Sequence, residues 1–292
     1  MDNPALAWPR VGLLPVVHAI EAALRERRGF SLIRLGDGEG AVLAQADPAW
    51  HAEVDFSRAI WFGDQDISED DFSVIRQGLE RAVAQADVVG LPRPRQVALS
   101  RRYGVVFEHV AHALLMRSRP QPPLLGDAAL HFYLQWSGLL GAILRQARRL
   151  TLITCRDVGG ELAAHFDVPV RIWPVRGEAL YPGSETMPHW PDGFSTIMER
   201  LDVDIVPGDL VLVGAGVLGK LYCEQARLRN GVALDLGSVF DGWQGLLTRG
   251  ERIARKPEFM IPWLARGEKA AGDALQELQR YMLSTNIPDA NI

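Results

Sequence analysis

The sequence predicts an α/β protein in which a mostly parallel sheet carries helices on both faces. Three observations predict it. Short apolar runs alternate with amphipathic stretches along most of the chain, the pattern of strands joined by helical crossovers. The runs are near-continuously apolar rather than alternating, as in strands covered on both sides. With 292 residues, 48% of them hydrophobic, the chain can bury a substantial core.

In chain order, Val16 to Arg28 places Val17, Ile20, Ala23 and Leu24 at helical spacing and ends at Gly29, a C-terminal stop. Phe30 to Leu35 has the length and apolar content of a buried strand, and Gly36-Asp37-Gly38-Glu39-Gly40 follows it. Ala41 to Ala46 predicts a short helix ended near Pro48, and Ala59-Ile60-Trp61-Phe62-Gly63 reads as a short strand. Ser68 caps a helix running through Ile75, Leu79 and Val83, with Glu69, Asp70 and Asp71 where the helix dipole favours acids. Asp87 to Leu91 is the next strand, stopped by Pro92 and Pro94.

Val105 to Arg117 predicts a helix, Pro120 to Pro123 a linker, and Ala128 to Arg149 one long apolar helix. Leu150 to Cys155 is a strand ending at Arg156-Asp157-Val158-Gly159-Gly160, and a helix from Glu161 to Phe166 leads to a strand at Val170 to Val175. Arg176 to Asp192 is long for a structureless connection and reads as a functional loop or lid. Helix Phe194 to Leu201, strand Asp209 to Val213, helix Gly216 to Arg229 and strand Val232 to Leu236 complete the pattern, and an amphipathic helix is expected near Asp273 to Met282. One continuous domain over 1–292 follows, with 1–28 as a helical lead-in and 246–292 as a helical extension.

Composition narrows the partners. A formal charge of −5 and a pI near 5.8 give no general attraction for nucleic acid or an anionic membrane. Met1 to Arg10 lacks the basic-then-apolar order of a secretion signal, and Ala128 to Leu144 is too short and too polar to span a bilayer. Two cysteines, Cys155 and Cys223, are too few for a disulfide framework or a cysteine zinc site, so a reducing cytoplasm is the expected setting.

Two stretches carry the chemistry. If Gly36 to Gly40 is extended, Asp37 and Glu39 point the same way and suit a hard divalent cation that could in turn hold a diphosphate; the other reading is a solvated turn. Gly214-Ala215-Gly216-Val217-Leu218-Gly219, between a strand and a helix and followed by Asp235, matches a dinucleotide-binding fingerprint. A helix N-terminus that receives phosphate serves any nucleotide, so the glycines Gly214, Gly216 and Gly219 do not by themselves choose NAD. Lys220 is either an added charge for the ligand or a solvated helix lysine. Arg34 and Arg156 sit at strand ends, either reaching phosphate or pairing with neighbouring acids.

Together, Arg34-Leu35-Gly36-Asp37-Gly38-Glu39 and Val213 to Lys220, followed by Ala233 to Asp241, resemble the GT-D fold glycosyltransferases, with their Arg-x-Gly-Asp-Gly-Glu signature and late glycine loop. The resemblance spans about Gly29 to Gly245. It implies a Rossmann-like enzyme of GT-D type, assisted by Mn²⁺ or Mg²⁺, that moves a sugar from a UDP- or GDP-sugar to a glycan or glycoprotein acceptor. Asp37 and Glu39 would be its metal and catalytic carboxylates. The substrate-binding set would comprise Arg34, Gly36, Gly38, Arg156, Asp157, Gly214, Gly216, Gly219, Lys220, Asp235 and Ser238. Better-known members continue after the position of Asp235 with His and further acids, whereas this chain has Ser238 and Asp241. Asp241, His189 and Asp192 are therefore the candidates for a base, with Asp241 taken as catalytic. Trp190 and Trp243 could stack on a sugar or base, and His131 could line the cleft; packing explains all three as well. The rival readings are an NAD(P)-dependent oxidoreductase built on the glycine fingerprint and a non-catalytic nucleotide-binding protein.

Overall fold

The computed structural model describes residues 9–63, 65, 67–99, 103–106, 109–110, 123–179, 183–246, 248 and 257–266. Among them, seven strands form one all-parallel sheet: β1 (Phe30–Arg34), β2 (Val88–Leu91), β3 (Leu124–Asp127), β4 (Arg149–Thr154), β5 (Val170–Pro174), β6 (Asp209–Gly214) and β7 (Val232–Asp235). Their order across the sheet is β3-β2-β1-β7-β6-β4-β5. Because every pairing is parallel, the carboxyl ends of all the strands share one edge.

The strands alternate their side chains between two cores. Ile33, Val89, Ile153, Val211, Val213 and Ala233 face one layer, which holds α2 (Asp37–Leu43), α3 (His51–Phe62), α4 (Glu69–Gln85), α9 (Phe194–Asp204) and α10 (Leu218–Leu228). Leu32, Val88, Leu152, Leu212 and Leu234 face the other. That layer holds α1 (Leu13–Glu26), α6 (Leu130–Trp136), α7 (Leu139–Gln146), α8 (Gly159–His165), α11 (Val239–Trp243) and α12 (Ile261–Ala265). A further short helix, α5 (Pro94–Leu99), follows β2. Among the described residues, no helix is long and apolar enough to cross a membrane. The chain passes from β4 to β5 in one direction across the sheet and from β6 to β7 in the other. A crevice therefore opens above the paired residues Thr154 and Gly214, where open α/β sheets hold ligands.

Several expectations are corrected. Asp37 and Glu39 do not lie in an extended loop: Gly36 is the residue before α2, and both carboxylates fall in its first turn. Ala59 to Phe62 is the end of α3, not a strand. Four apolar residues and a glycine do not distinguish the two periods, and α3 buries Val54, Ser57 and Phe62 before stopping at Gly63, whose φ is +58°. The expected long helix after Ala128 is α6 and α7, broken at Gly138 with φ +76°, and the short strand β3 precedes it. Helix α1 ends at Arg27 in the left-handed region; Gly29 is needed instead because a β-carbon there would collide with the Arg227 carbonyl. Helix α1 packs into the second core. Most of Val105 to Arg117, the Pro120 to Pro122 part of the linker and the helix near Asp273 to Met282 lie outside the described residues.

Candidate active site

At the carboxyl edge, the turn after β1, the turn after β4, the turn after β6 and the turn after β7 enclose a cleft of about 550 Å³. Arg34, Gly36, Asp37, Gly38 and Glu39 line it from β1 and α2, and Gly214, Gly216 and Lys220 from β6 and α10. Asp235, Ser238 and Asp241 line it from β7 and α11, with Thr154 and Arg156 from β4. The two stretches singled out by sequence thus meet at one place, because β1 pairs with β7 and β7 with β6. Two predicted residues stand apart from the lining. Asp157 is exposed at the start of the turn into α8. Gly219 lies inside α10, where a β-carbon would sit 2.9 Å from Val213 Cγ1, so it serves close packing of helix on strand.

Beneath the cleft lies a buried network of four charges. Lys220 Nζ meets Glu39 Oε1 at 2.5 Å and Asp235 Oδ2 at 3.1 Å, and it donates to the Gly216 carbonyl at 3.1 Å. Arg34 donates from Nε to the Asp235 carbonyl at 2.9 Å and pairs with Asp235 Oδ1 at 3.3 Å, while its Nη1 lies 3.1 Å from His131 Nε2. The other oxygen of Glu39 accepts from the Gly36 N–H at 2.8 Å. Two cations and two carboxylates balance, as buried charges must. Burial works to lower the Lys220 pKa, but Asp235 and Glu39 outweigh it and leave it raised. Burial likewise works to raise the Asp235 pKa, and Arg34 and Lys220 hold it lowered instead. Lys220 is thus a buried structural cation, not a solvated helix lysine.

Helical geometry separates the two motif carboxylates. Residues two apart on a helix diverge by about 200°, so Glu39 turns inward to Lys220 while Asp37 faces the cleft. No hydrogen bond or ion pair holds the Asp37 side chain among the described residues. The residues present would suit Mg²⁺ only as a loosely held ion, since Asp37 is a single open carboxylate and Mg²⁺ is commonly bound by one or two carboxylates and substrate phosphates. Glu39 could join only by releasing Lys220. Among the described residues, no three His, Cys, Asp or Glu side chains gather as a metal cage.

Asp241 is not poised as a free base. Its Oδ1 accepts from Arg156 Nε at 2.7 Å and its Oδ2 from the Thr248 hydroxyl at 2.7 Å, so it aims Arg156 along the cleft wall. Of the other base candidates, Asp192 is exposed and lies away from the cleft lining. His189 is buried, with Nε2 3.0 Å from the Tyr222 hydroxyl, and burial lowers its pKa to about 4 from the ordinary 6.5. Trp190 and Trp243 are buried, and Trp243 donates to Gln135 Oε1 at 2.8 Å, which makes it a packing residue. Cys155 lines the cleft, yet burial raises its pKa more than Arg156 lowers it, so its thiol is not primed for attack.

Sequence reasoning missed Trp61, Arg176 and Glu178. The last two leave the end of β5 into the Arg176 to Asp192 connection and line the cleft, which the strand-end rule could have found. Trp61 was hidden by the misread strand. That connection is fastened once to α3, by Ala179 N–H to the Ile60 carbonyl at 2.9 Å, and once just beyond it, by His189 N–H to Gln65 Oε1 at 2.8 Å.

The buried His189 sets a pH dependence. Its lowered pKa means that the unfolded chain takes up a proton first as pH falls, so stability drops from about pH 6.5 to about pH 4. The loss attributable to this group is about 3 kcal/mol at most. Urea unfolding across that range is expected to show a flatter profile for His189→Gln than for the wild type; coincident profiles would contradict the assignment.

A model of the GT-D fold-like domain family matches residues 13–243. No curated protein matches the chain. Among solved structures, a selenomethionine-substituted domain of unknown function 1792 is 15% identical, covering 78% of this chain and 79% of that one with a TM-score of 0.47. A second, described as a highly conserved domain of unknown function 1792 with a distinct glycosyltransferase fold, is 14% identical over 76% of each chain, TM-score 0.47. A third, described as a new glycosyltransferase from Streptococcus sanguinis, is 18% identical over 76% of this chain and 79% of that one, TM-score 0.40.

Proposed function

The chain belongs to the GT-D fold-like family, and from that premise we propose that it is a glycosyltransferase moving a sugar from a UDP- or GDP-sugar to a glycan or glycoprotein acceptor. The observation that carries this reading is the meeting of Asp37, the Gly214 to Gly216 turn and Arg156 around one cleft over a charge-balanced floor. A nucleoside diphosphate leaving group gains negative charge as the glycosidic bond breaks. Groups that oppose that charge stabilise the transition state more than the ground state. Arg156, held at a fixed angle by Asp241, meets phosphate oxygens, and the Gly214 to Gly216 turn lines the same cleft. Asp37 is the residue that would hold Mn²⁺ or Mg²⁺, which when bound supplies further countercharge to the diphosphate. The setting we propose is the assembly of a surface polysaccharide or glycoprotein from the cytoplasmic side.

The oxidoreductase reading loses ground on one residue. It requires the acid at the end of β7 to present its carboxylate to a ribose, and Asp235 is buried with its oxygens engaged by Arg34 and Lys220. A thermal-shift screen with UDP, GDP and NAD(H), each with and without Mn²⁺, separates the readings. Metal-dependent stabilisation by UDP or GDP, followed by release of that nucleotide from its sugar conjugate, is the expected outcome. Tight metal-independent NAD(H) binding would overturn it, and nucleotide binding without any sugar release would favour a non-catalytic role.

A further inference from the structure

Trp61, near the end of α3, joins the two glycine turns. A β-carbon at Gly38 would sit 2.6 Å from Trp61 Cζ2, and one at Gly216 would sit 3.1 Å from Cδ1 and 3.2 Å from Nε1. One indole therefore spans both turns, with its six-membered ring against Gly38 and its nitrogen-bearing ring against Gly216, and side chains at either position would push it away. Trp61 is partly buried and lines the cleft. Its Nε1–H has no hydrogen-bond partner among the described residues and is not sealed from solvent. An indole N–H can only donate, so this one is open to an acceptor that enters the cleft.

We propose that Trp61 is a donor-positioning residue whose indole N–H hydrogen-bonds a phosphoryl oxygen of the bound diphosphate. The proposal rests on the reading of this cleft as a nucleotide-diphosphate site and adds the group that registers the diphosphate against both turns at once. A neutral donor suits this place. The floor is already charge-balanced, so orientation is gained there without a further buried cation. The attachments of the Arg176 to Asp192 connection to Ile60 and Gln65 flank Trp61 in sequence and fix the end of α3 from which it projects.

The test compares wild type with Trp61→Phe, which keeps an aromatic ring and removes the donor. The probes are inorganic pyrophosphate, UDP, GDP and the free nucleosides, all with Mg²⁺. Loss of one hydrogen bond to a charged acceptor predicts weakening of about tenfold or more for pyrophosphate and for whichever nucleotide binds, with no change for the nucleosides. Equal pyrophosphate affinity in the variant, or a loss that falls equally on the nucleosides, overturns the proposal. An independent measurement needs no variant: in indole-¹⁵N-labelled wild type, one indole N–H resonance should move downfield as pyrophosphate saturates. If UDP or GDP binds and no indole resonance moves, the role of Trp61 falls while the diphosphate site stands. If wild type binds neither nucleotide nor pyrophosphate, both fall.

Discussion

Replacing Lys220 with Met is expected to lower the free energy of unfolding by about 3–5 kcal/mol, the range found when one partner of a buried ion pair is removed. The volume is nearly kept, so the loss is electrostatic. Without Lys220, Glu39 and Asp235 would remain buried with only Arg34 to share between them, and of the two carboxylates Arg34 contacts Asp235 alone. Removing the stranded charge should restore part of the loss. The double variant Lys220→Met with Glu39→Gln is expected to regain at least about 1 kcal/mol over the single one, because the new side-chain amide oxygen can still accept the Gly36 N–H while Asp235 keeps Arg34. Urea unfolding monitored by far-ultraviolet circular dichroism measures both. If Lys220→Met is within about 0.5 kcal/mol of wild type, the network is not the buried structural element described.

Replacing Asp37 with Asn should do the reverse. Nothing among the described residues holds the Asp37 carboxylate, so stability is expected to stay within the roughly ±0.5 kcal/mol typical of a surface substitution. The rate of sugar transfer should fall by about 10²-fold or more, the usual cost of deleting one group that opposes charge in a transition state. On this proposal, two carboxylates separated by one glycine would part into a structural residue and a functional one. Equal destabilisation by Asp37→Asn and Glu39→Gln, or full activity in Asp37→Asn, would contradict that division.

The sequence made much of this legible, for physical reasons. Leu150 to Thr154 has three β-branched residues and Asp209 to Val213 lies between Gly208 and Gly214, so both read as strands, whose ends place ligand groups on the carboxyl edge of a parallel sheet. Parallel topology puts Asp37, Gly214 and Gly216 on one edge, and their meeting also needs β7 between β1 and β6. What one-dimensional pattern could not carry was side-chain direction. Extended geometry would have aimed Asp37 and Glu39 together, whereas the first turn of α2 sends them apart and makes Glu39 a partner of Lys220. Lys220 and Asp235 are well separated along the chain and read as separate features; their pairing depends on α10 crossing over β7. The same limit hid Trp61: four apolar residues and a glycine fit a strand as well as a helix end, and only the helix brings that indole over Gly38 and Gly216. Asp241 looked like a base because acids near a cleft are common bases, but the guanidinium of Arg156 and the hydroxyl of Thr248 occupy both its oxygens.

The central claim is that the Asp37 turn and the Gly214 to Lys220 turn build one metal-assisted diphosphate site. Calorimetric titration of UDP and GDP into wild type and Asp37→Asn, with and without Mn²⁺, tests it most directly. Wild type should bind one of the two nucleotides at least about tenfold more tightly with Mn²⁺, and Asp37→Asn should show no such enhancement. An enhancement of the same size in both proteins would contradict the claim.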